Sequence, residues 1–359
     1  MKLLFTFYLP SGGMGTLNHI RCEALQQAGV TCHLLYSNYS EGYKNINGIT
    51  TFITNQDDEI RDIIQKEAYD AIIVASDYFL LEKLRNLGYK GTIIYEVQGF
   101  GDWETARQTI QIVAPYVITH CNAVLLPDTS HLVSLFKSHT QSIKQFSFNN
   151  PLDTSNFRYI DYPIKPFPII GWVGRIEHNK NWSDFLEIGY RMIDLNPHLY
   201  LWMFVDMDLS DPSEKERFES RVDQLELRPR LIRYSNVPQR LMADYYSIIG
   251  DSGGFLCSTS LLEGFGYAAA EALLCRCPVL ATDSDGVRSF IFHKKTGMFY
   301  KRDDIDDAVQ KANDMMTIKS LRTTLRESGE MHIVKHFSVD AYVRSFISML
   351  KNLGVHPQS

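Results

Sequence analysis

Apolar runs of strand length alternate with stretches of helical spacing along this sequence, and that alternation leaves few folds open. Leu3–Leu9 is strand-like. Gly12-Gly13-Met14-Gly15 follows as a tight loop, and Thr16–Ala28 has helical spacing that ends at Gly29. Thr31–Tyr36, Ala71–Ala75, Thr92–Glu96 and Ala123–Leu126 read as further strands, with helical patterns at Glu59–Lys66, Tyr78–Leu87 and Ser130–Ser138. Strands this apolar must be covered on both faces, so the expected class is α/β with parallel sheets.

Asn149–Pro168 carries Pro151, Pro163, Pro166 and Pro168 with little periodicity, and reads as a linker. A second series then begins. Phe167–Val173, Leu199–Val205, Leu231–Tyr234, Gly254–Cys257 and Pro278–Ala281 are strand-like. Trp182–Asp194, Ser213–Leu225, Tyr267–Cys275 and Val339–Leu353 are helical. A length of 359 residues is long for one core. The reading is therefore two doubly wound domains, residues 1–160 and 161–338, with a tail at 339–359.

A net charge of −6 is mild, and no stretch is basic enough for a nucleic-acid footprint. It also argues against a strong polybasic anchor, while weak association with a membrane surface stays open. The six cysteines form no CxxC pair and sit in apolar runs, so buried reduced thiols are expected. Met1–Pro10 is too short to span a bilayer and has no A-x-A pattern; the expected location is the cytoplasm, or the inner membrane face. A monomer and a homodimer both remain open.

Chemistry concentrates in two places. In the first, a strand ends near Cys257, a loop carries Glu263, Gly264, Phe265 and Gly266, and an alanine-rich helix containing Glu271 follows. A helix N-terminus offers unpaired N–H groups and partial positive charge to a phosphate. Gly264 and Gly266 allow close backbone approach. Glu263 and Glu271 can face sugar or ribose hydroxyls, although either could be a solvated carboxylate. In the second, Gly174-Arg175-Ile-Glu-His-Asn-Lys180 directly follows a strand. Arg175 and Lys180 would project where open α/β sheets bind ligands, and two cations there could hold a diphosphate. Trp172 and Trp182 flank that loop as packing groups.

Gly174-Arg175-x4-Lys180 together with Glu263-x7-Glu271 resembles the retaining GT-B glycosyltransferases, family 4 of the glycosyltransferase classification. The likeness extends through Asn150-Pro-Leu-Asp153-x3-Phe157, through Cys277–Asp283 and Gly286, through Lys295-Thr296-Gly297, and to Gly12-Gly13 after the first strand. It implies two Rossmann-like domains facing a central cleft, with an acceptor-binding first domain, a nucleotide-sugar-binding second domain, and a C-terminal helix packed back on the first. It further implies that Arg175 and Lys180 bind the diphosphate, that Glu271 meets the ribose, and that Glu263 meets the donor sugar beside the Phe265 and Gly266 amides. Gly12 and Gly13 would let the first loop approach the phosphate. The implied activity moves a hexose-type sugar, with retention, from a UDP- or GDP-sugar to a hydroxyl acceptor of unknown identity, with no metal and no resident cofactor. Synthesis of a cell-surface polysaccharide, glycolipid or related glycoconjugate is the expected setting.

Three positions depart from that pattern. Gln98 stands where a histidine is frequent; it can hydrogen-bond a sugar or acceptor hydroxyl but cannot take a proton. Ser289 stands where a glutamate is frequent. Asp206-Met-Asp208 replaces a glycine-rich loop and admits a manganese reading, which the cations nearby make the lesser one. His19, His33, His120, His178 and His293 lack ligand spacing. A non-hydrolysing sugar-nucleotide epimerase and a catalytically silent sugar-nucleotide-binding subunit are the alternatives.

Overall fold

The computed structural model describes residues 1–100, 103–154, 157–205 and 212–356. The chain divides into two compact units, Met1–Leu152 with Phe337–Ser359, and Asp153–His336.

The first unit runs β1 (Lys2–Phe7), α1 (Gly12–Gln27), β2 (Thr31–Tyr36), β3 (Thr50–Ile53), α2 (Asp57–Glu67), β4 (Ala71–Ala75), α3 (Tyr78–Asn86), β5 (Thr92–Glu96), α4 (Trp103–His120), β6 (Ala123–Leu126), α5 (Ser130–His139) and β7 (Lys144–Ser147). The second runs β8 (Ile169–Gly174), α6 (Trp182–Leu195), β9 (Tyr200–Val205), α7 (Pro212–Gln224), β10 (Leu231–Ser235), α8 (Met242–Asp251), β11 (Phe255–Ser258), α9 (Tyr267–Leu274), β12 (Val279–Thr282), β13 (Met298–Tyr300), α10 (Ile305–Thr317) and α11 (Lys319–His336). The tail helix α12 (Val339–Asn352) belongs to the first unit.

The sheet of the first unit has the order β3-β2-β1-β4-β5-β6-β7, and that of the second β10-β9-β8-β11-β12-β13. All pairings between these strands are parallel. Every residue of β4 is buried, as a strand covered on both faces requires. Leu4, Ile72, Val74, Ile93 and Tyr95 pack under α2 to α5 on one face. Leu3, Phe5, Ile73 and Ile94 pack on the other, with Phe346, Met349 and Leu350 of α12. The tail is therefore part of the first unit's core. In the second unit, Ile170, Trp172, Leu201 and Met203 share a core with α6, α7 and α10.

Several readings shift. The first boundary falls after Leu152, not at 160, because the proline-containing segment is tied to the second unit: Phe157 packs its ring near Tyr246, Tyr159 donates to Asp251, and the Ile160 N–H donates to Ser247 Oγ. The second boundary falls after His336, not at 338, because the Leu152 N–H donates to the Phe337 carbonyl inside the first unit. Gly12 and Gly13 form the first turn of α1 instead of a loop preceding it. Asp206-Met-Asp208 lies outside the described residues. The six cysteines are buried and free. Among the described residues no helix is long and apolar enough to cross a membrane.

Candidate active site

Strand order reverses in the second unit between β8 and β11, which are neighbours in register Phe255↔Ile170 and Leu256↔Gly171. Loops that leave the carboxyl ends of two such strands diverge and open a crevice. The loop after β8 carries Arg175 and Lys180; the loop after β11 carries Glu263 to Gly266. The two loops singled out in the sequence are brought side by side by topology alone.

They are also stitched together. The Asn179 carbonyl accepts from the Leu261 N–H at 2.8 Å. Its side-chain amide donates to the Leu262 carbonyl at 3.1 Å and accepts from the Leu262 N–H at 3.2 Å. Thr259 Oγ1 donates to the Lys180 carbonyl at 2.8 Å and accepts from Trp172 Nε1 at 3.0 Å. Trp172 is thus a buried packing group with its N–H satisfied. Across this seam Lys180 Nζ meets Glu263 Oε1 at 2.6 Å. Arg175 shares the loop but not the pair. Its side chain is 48% exposed, and its guanidinium donates to Glu177 at 3.2 Å.

Gly266 ends the second loop at φ +85, a left-handed conformation that turns the chain into α9. The Ala269 and Ala270 N–H groups donate to the Gly266 carbonyl, so α9 starts directly from this turn and its N-terminal end, with its partial positive charge, faces the loop. Gly286, after β12, lies against the same loop. A Cβ there would sit 2.4 Å from the Glu263 carbonyl oxygen, so the loop's close packing needs a glycine. Phe265 is buried against Phe290 and acts as the anchor of the loop. Ser289 closes the 3₁₀ turn Asp285–Ser289 by donating to the Gly286 carbonyl at 3.3 Å.

Glu271 lies inside α9, and its carboxyl is buried instead of open to solvent. Gln239 Nε2 donates to it at 3.1 Å, and the Tyr246 hydroxyl at 3.5 Å. Burial pushes this carboxyl from 4.5 up to about 8 despite those donors. Between those pH values the folded chain keeps a proton that the unfolded chain has lost. The contribution of Glu271 to stability therefore falls as pH rises through that window and levels off above it. Glu271→Gln, which keeps an acceptor for Gln239 without a charge, should gain melting temperature over the native chain at pH 8 relative to pH 5. Calorimetry of the ligand-free protein at both pH values checks this; an equal difference at the two would contradict it.

Gly12, Gly13 and Gln98 belong to the first unit. Gly12 has φ +64 at the start of α1. Gln98 follows β5, where its amide is tied to Glu96 and Asn150. Among the histidines, His33 pairs with the Tyr69 hydroxyl at 2.9 Å and His293 Nδ1 accepts the Phe299 N–H at 3.1 Å, both structural uses. Asn179, Thr259, Gln239 and Tyr246 were not singled out in the sequence. Asn179 stands inside the Gly174–Lys180 motif, and that position was its only signal.

Residues 161–332 match the family model described as Glycosyl transferases group 1. The poly(ribitol-phosphate) alpha-N-acetylglucosaminyltransferase of Staphylococcus aureus (strain COL) is 20% identical over 80% of this chain and 56% of its own length. The lipopolysaccharide core biosynthesis glycosyltransferase LpsE of Rhizobium meliloti (strain 1021) is 22% identical over 73% of this chain and 71% of its own. The chain thus spans little more than half the length of the Staphylococcus relative. Among solved structures, Anabaena Alr3699/HepE in complex with UDP-glucose superposes with a TM-score of 0.83 at 13% identity, covering 98% of this chain and 100% of that one. Sucrose-phosphate synthase (tll1590) from Thermosynechococcus elongatus gives 0.80 at 15% identity, covering 98% and 99%. The fold class is GT-B, with two Rossmann-like α/β domains.

Proposed function

We propose that this chain, whose residues 161–332 carry the glycosyl transferases group 1 match, is a retaining, metal-independent glycosyltransferase. Its donor is a UDP- or GDP-hexose and its acceptor a hydroxyl group. The observation that carries the reading is the Lys180–Glu263 contact across two loops that meet at the topological switch point. A cation there serves a diphosphate, and a carboxylate within one hydrogen bond of it serves the adjoining sugar.

In the proposed reaction the C1–O bond to the diphosphate breaks while a bond forms from the acceptor oxygen to C1 on the same face. The acceptor proton passes to the departing phosphate oxygen. No side chain is needed as a covalent nucleophile. Lys180 and Arg175 offset the charge that grows on the diphosphate, and the first amides of α9 add their partial charge. Glu263 orients the sugar through its hydroxyls, with the Phe265 and Gly266 amides beside it. Gly174 and Gly264 let the backbone come close. Glu271 holds the ribose diol. In the first unit, Gly12 and Gly13 would let a phosphate come close and Gln98 would meet a sugar or acceptor hydroxyl. HepE bound to UDP-glucose favours a uridine nucleotide, and the S. aureus and R. meliloti enzymes favour an acceptor in a surface glycoconjugate. We propose that the enzyme works in the cytoplasm or at the inner face of the membrane.

The test is a thermal-shift panel of UDP-glucose, UDP-N-acetylglucosamine and GDP-mannose, followed by rates of nucleotide release with and without EDTA. One donor should raise the melting temperature and be turned over at the same rate in chelator. Stabilisation by none of them would count against the donor assignment. Loss of rate in EDTA restored by manganese would overturn metal independence.

A further inference from the structure

A polar network runs through the apolar interior of the first unit. Arg21, on α1, is wholly buried, and its Nη1 donates to both oxygens of Glu96, at 2.6 and 2.7 Å. Its Nη2 donates to Asn18 Oδ1 at 2.5 Å, and Asn18 in turn donates to the Tyr36 hydroxyl at 3.2 Å. The guanidinium also lies over the Phe5 ring, 4.2 Å from its centroid. Burial opposes the charge on Arg21, but the Glu96 carboxylate overcomes it and raises the guanidinium above its ordinary value. The far end of the network is Gln98. Its Nε2 donates to Glu96 Oε1 at 2.9 Å, and its Oε1 accepts from Asn150 Nδ2 at 2.6 Å.

These contacts fix which way the Gln98 amide faces. Turning it over would set Oε1 against a carboxylate oxygen and Nε2 against an amide nitrogen that is itself a donor. Both contacts would be lost together, beside a buried ion pair that cannot move away. Among the described residues, one N–H and one lone pair of the Gln98 amide have no partner.

We infer that Asn150 and the buried Arg21–Glu96 pair are positioning residues that lock the half-buried Gln98 amide so that its remaining N–H is presented to a substrate hydroxyl oxygen. The inference rests on the transferase reading above. It assigns to Asn150, Arg21 and Glu96 a function that works through Gln98 and not through contact with substrate. A neutral donor held in this way keeps its hydrogen bond through any proton transfer at the reacting centre.

A double-mutant cycle tests it, with Asn150→Ala, Gln98→Ala and the double variant assayed as full-length protein. The probe is whichever of UDP-glucose, UDP-N-acetylglucosamine or GDP-mannose the native chain turns over, and the readout is kcat/KM for nucleotide release. Asn150→Ala should cost about tenfold in the native background, as a misplaced polar group does, and less than about twofold when Gln98 is already alanine. Asn150→Asp, which keeps the size but sets an oxygen against Gln98 Oε1, should show the same dependence on Gln98 and serves if the alanine variant does not fold. Equal losses in both backgrounds, or no loss in either, would overturn the positioning role while leaving the transferase reading intact. Turnover of no sugar nucleotide by the native chain would overturn both.

Discussion

Lys180→Ala is expected to lower sugar transfer by about 100-fold or more while the protein stays folded, because removing one preorganised group that meets growing charge costs about that factor. The side chain is placed for this by its surroundings. Its stem passes the end of β8, where a Cβ on Gly174 would lie 3.2 Å from Lys180 Cγ, and its ammonium ends 2.6 Å from Glu263. The side chains of this pair are 22% and 16% exposed, so water weakens the interaction only in part. The loss should fall on kcat more than on KM, since the charge on the leaving phosphate grows toward the transition state. Lys180→Arg should restore less than full activity, because a planar fork does not reproduce a point charge at that distance. Initial rates of nucleotide release from the donor measure all three. Turnover by Lys180→Ala at the native rate would remove this residue from the leaving-group role.

Arg21→Met is expected to destabilise the first unit by about 3–5 kcal/mol, the cost of leaving one member of a buried ion pair uncompensated. Glu96 is 1% exposed and would be left in the core without its cation. The double change Arg21→Met with Glu96→Leu should recover most of that loss, because it removes both charges and keeps the volume. Urea unfolding followed by circular dichroism distinguishes the cases through the midpoint of the transition that melts the first unit. Equal destabilisation by the single and double variants would mean that the pair contributes packing and not charge compensation. The double variant should nonetheless lose activity, since it removes the acceptor that orients Gln98.

Much of the fold can be read from residue order because its strands are nearly all apolar. Ala71–Ala75 is found as the strand β4, and Trp182–Asp194 as the helix α6 with one residue more. What escaped the sequence has local causes. Helix α4 carries Pro115 and a polar run of threonine and glutamine, which break the helical pattern by composition although the chain continues through them. Strand β7 is an edge strand whose lysine and serine are exposed, and β13 spans only Met298–Tyr300. Helices α8, α10 and α11 were also not read.

The candidate site divides in the same manner. Gly174, Arg175, Lys180, Glu263 and Gly266 were legible because strand, loop and helix N-terminus succeed one another in sequence. Asn179 and Gln239 were not, because each acts through a partner far along the chain: Asn179 through Leu261 and Leu262, Gln239 through Glu271. Arg21 gave no sign at all. An arginine on a helix ordinarily reads as a solvated face, and only the fold, by setting β5 beneath α1, reveals the carboxylate that makes its burial possible.

The account rests most heavily on where a diphosphate binds. A crystal structure of the protein soaked with the nucleoside diphosphate chosen by the donor panel tests that directly. The account predicts the β-phosphate within hydrogen-bonding distance of Lys180 Nζ and of the amides at Phe265 and Gly266, with Arg175 turned from Glu177 toward it. A diphosphate bound elsewhere in the second unit, with Lys180 still closed on Glu263, would contradict it.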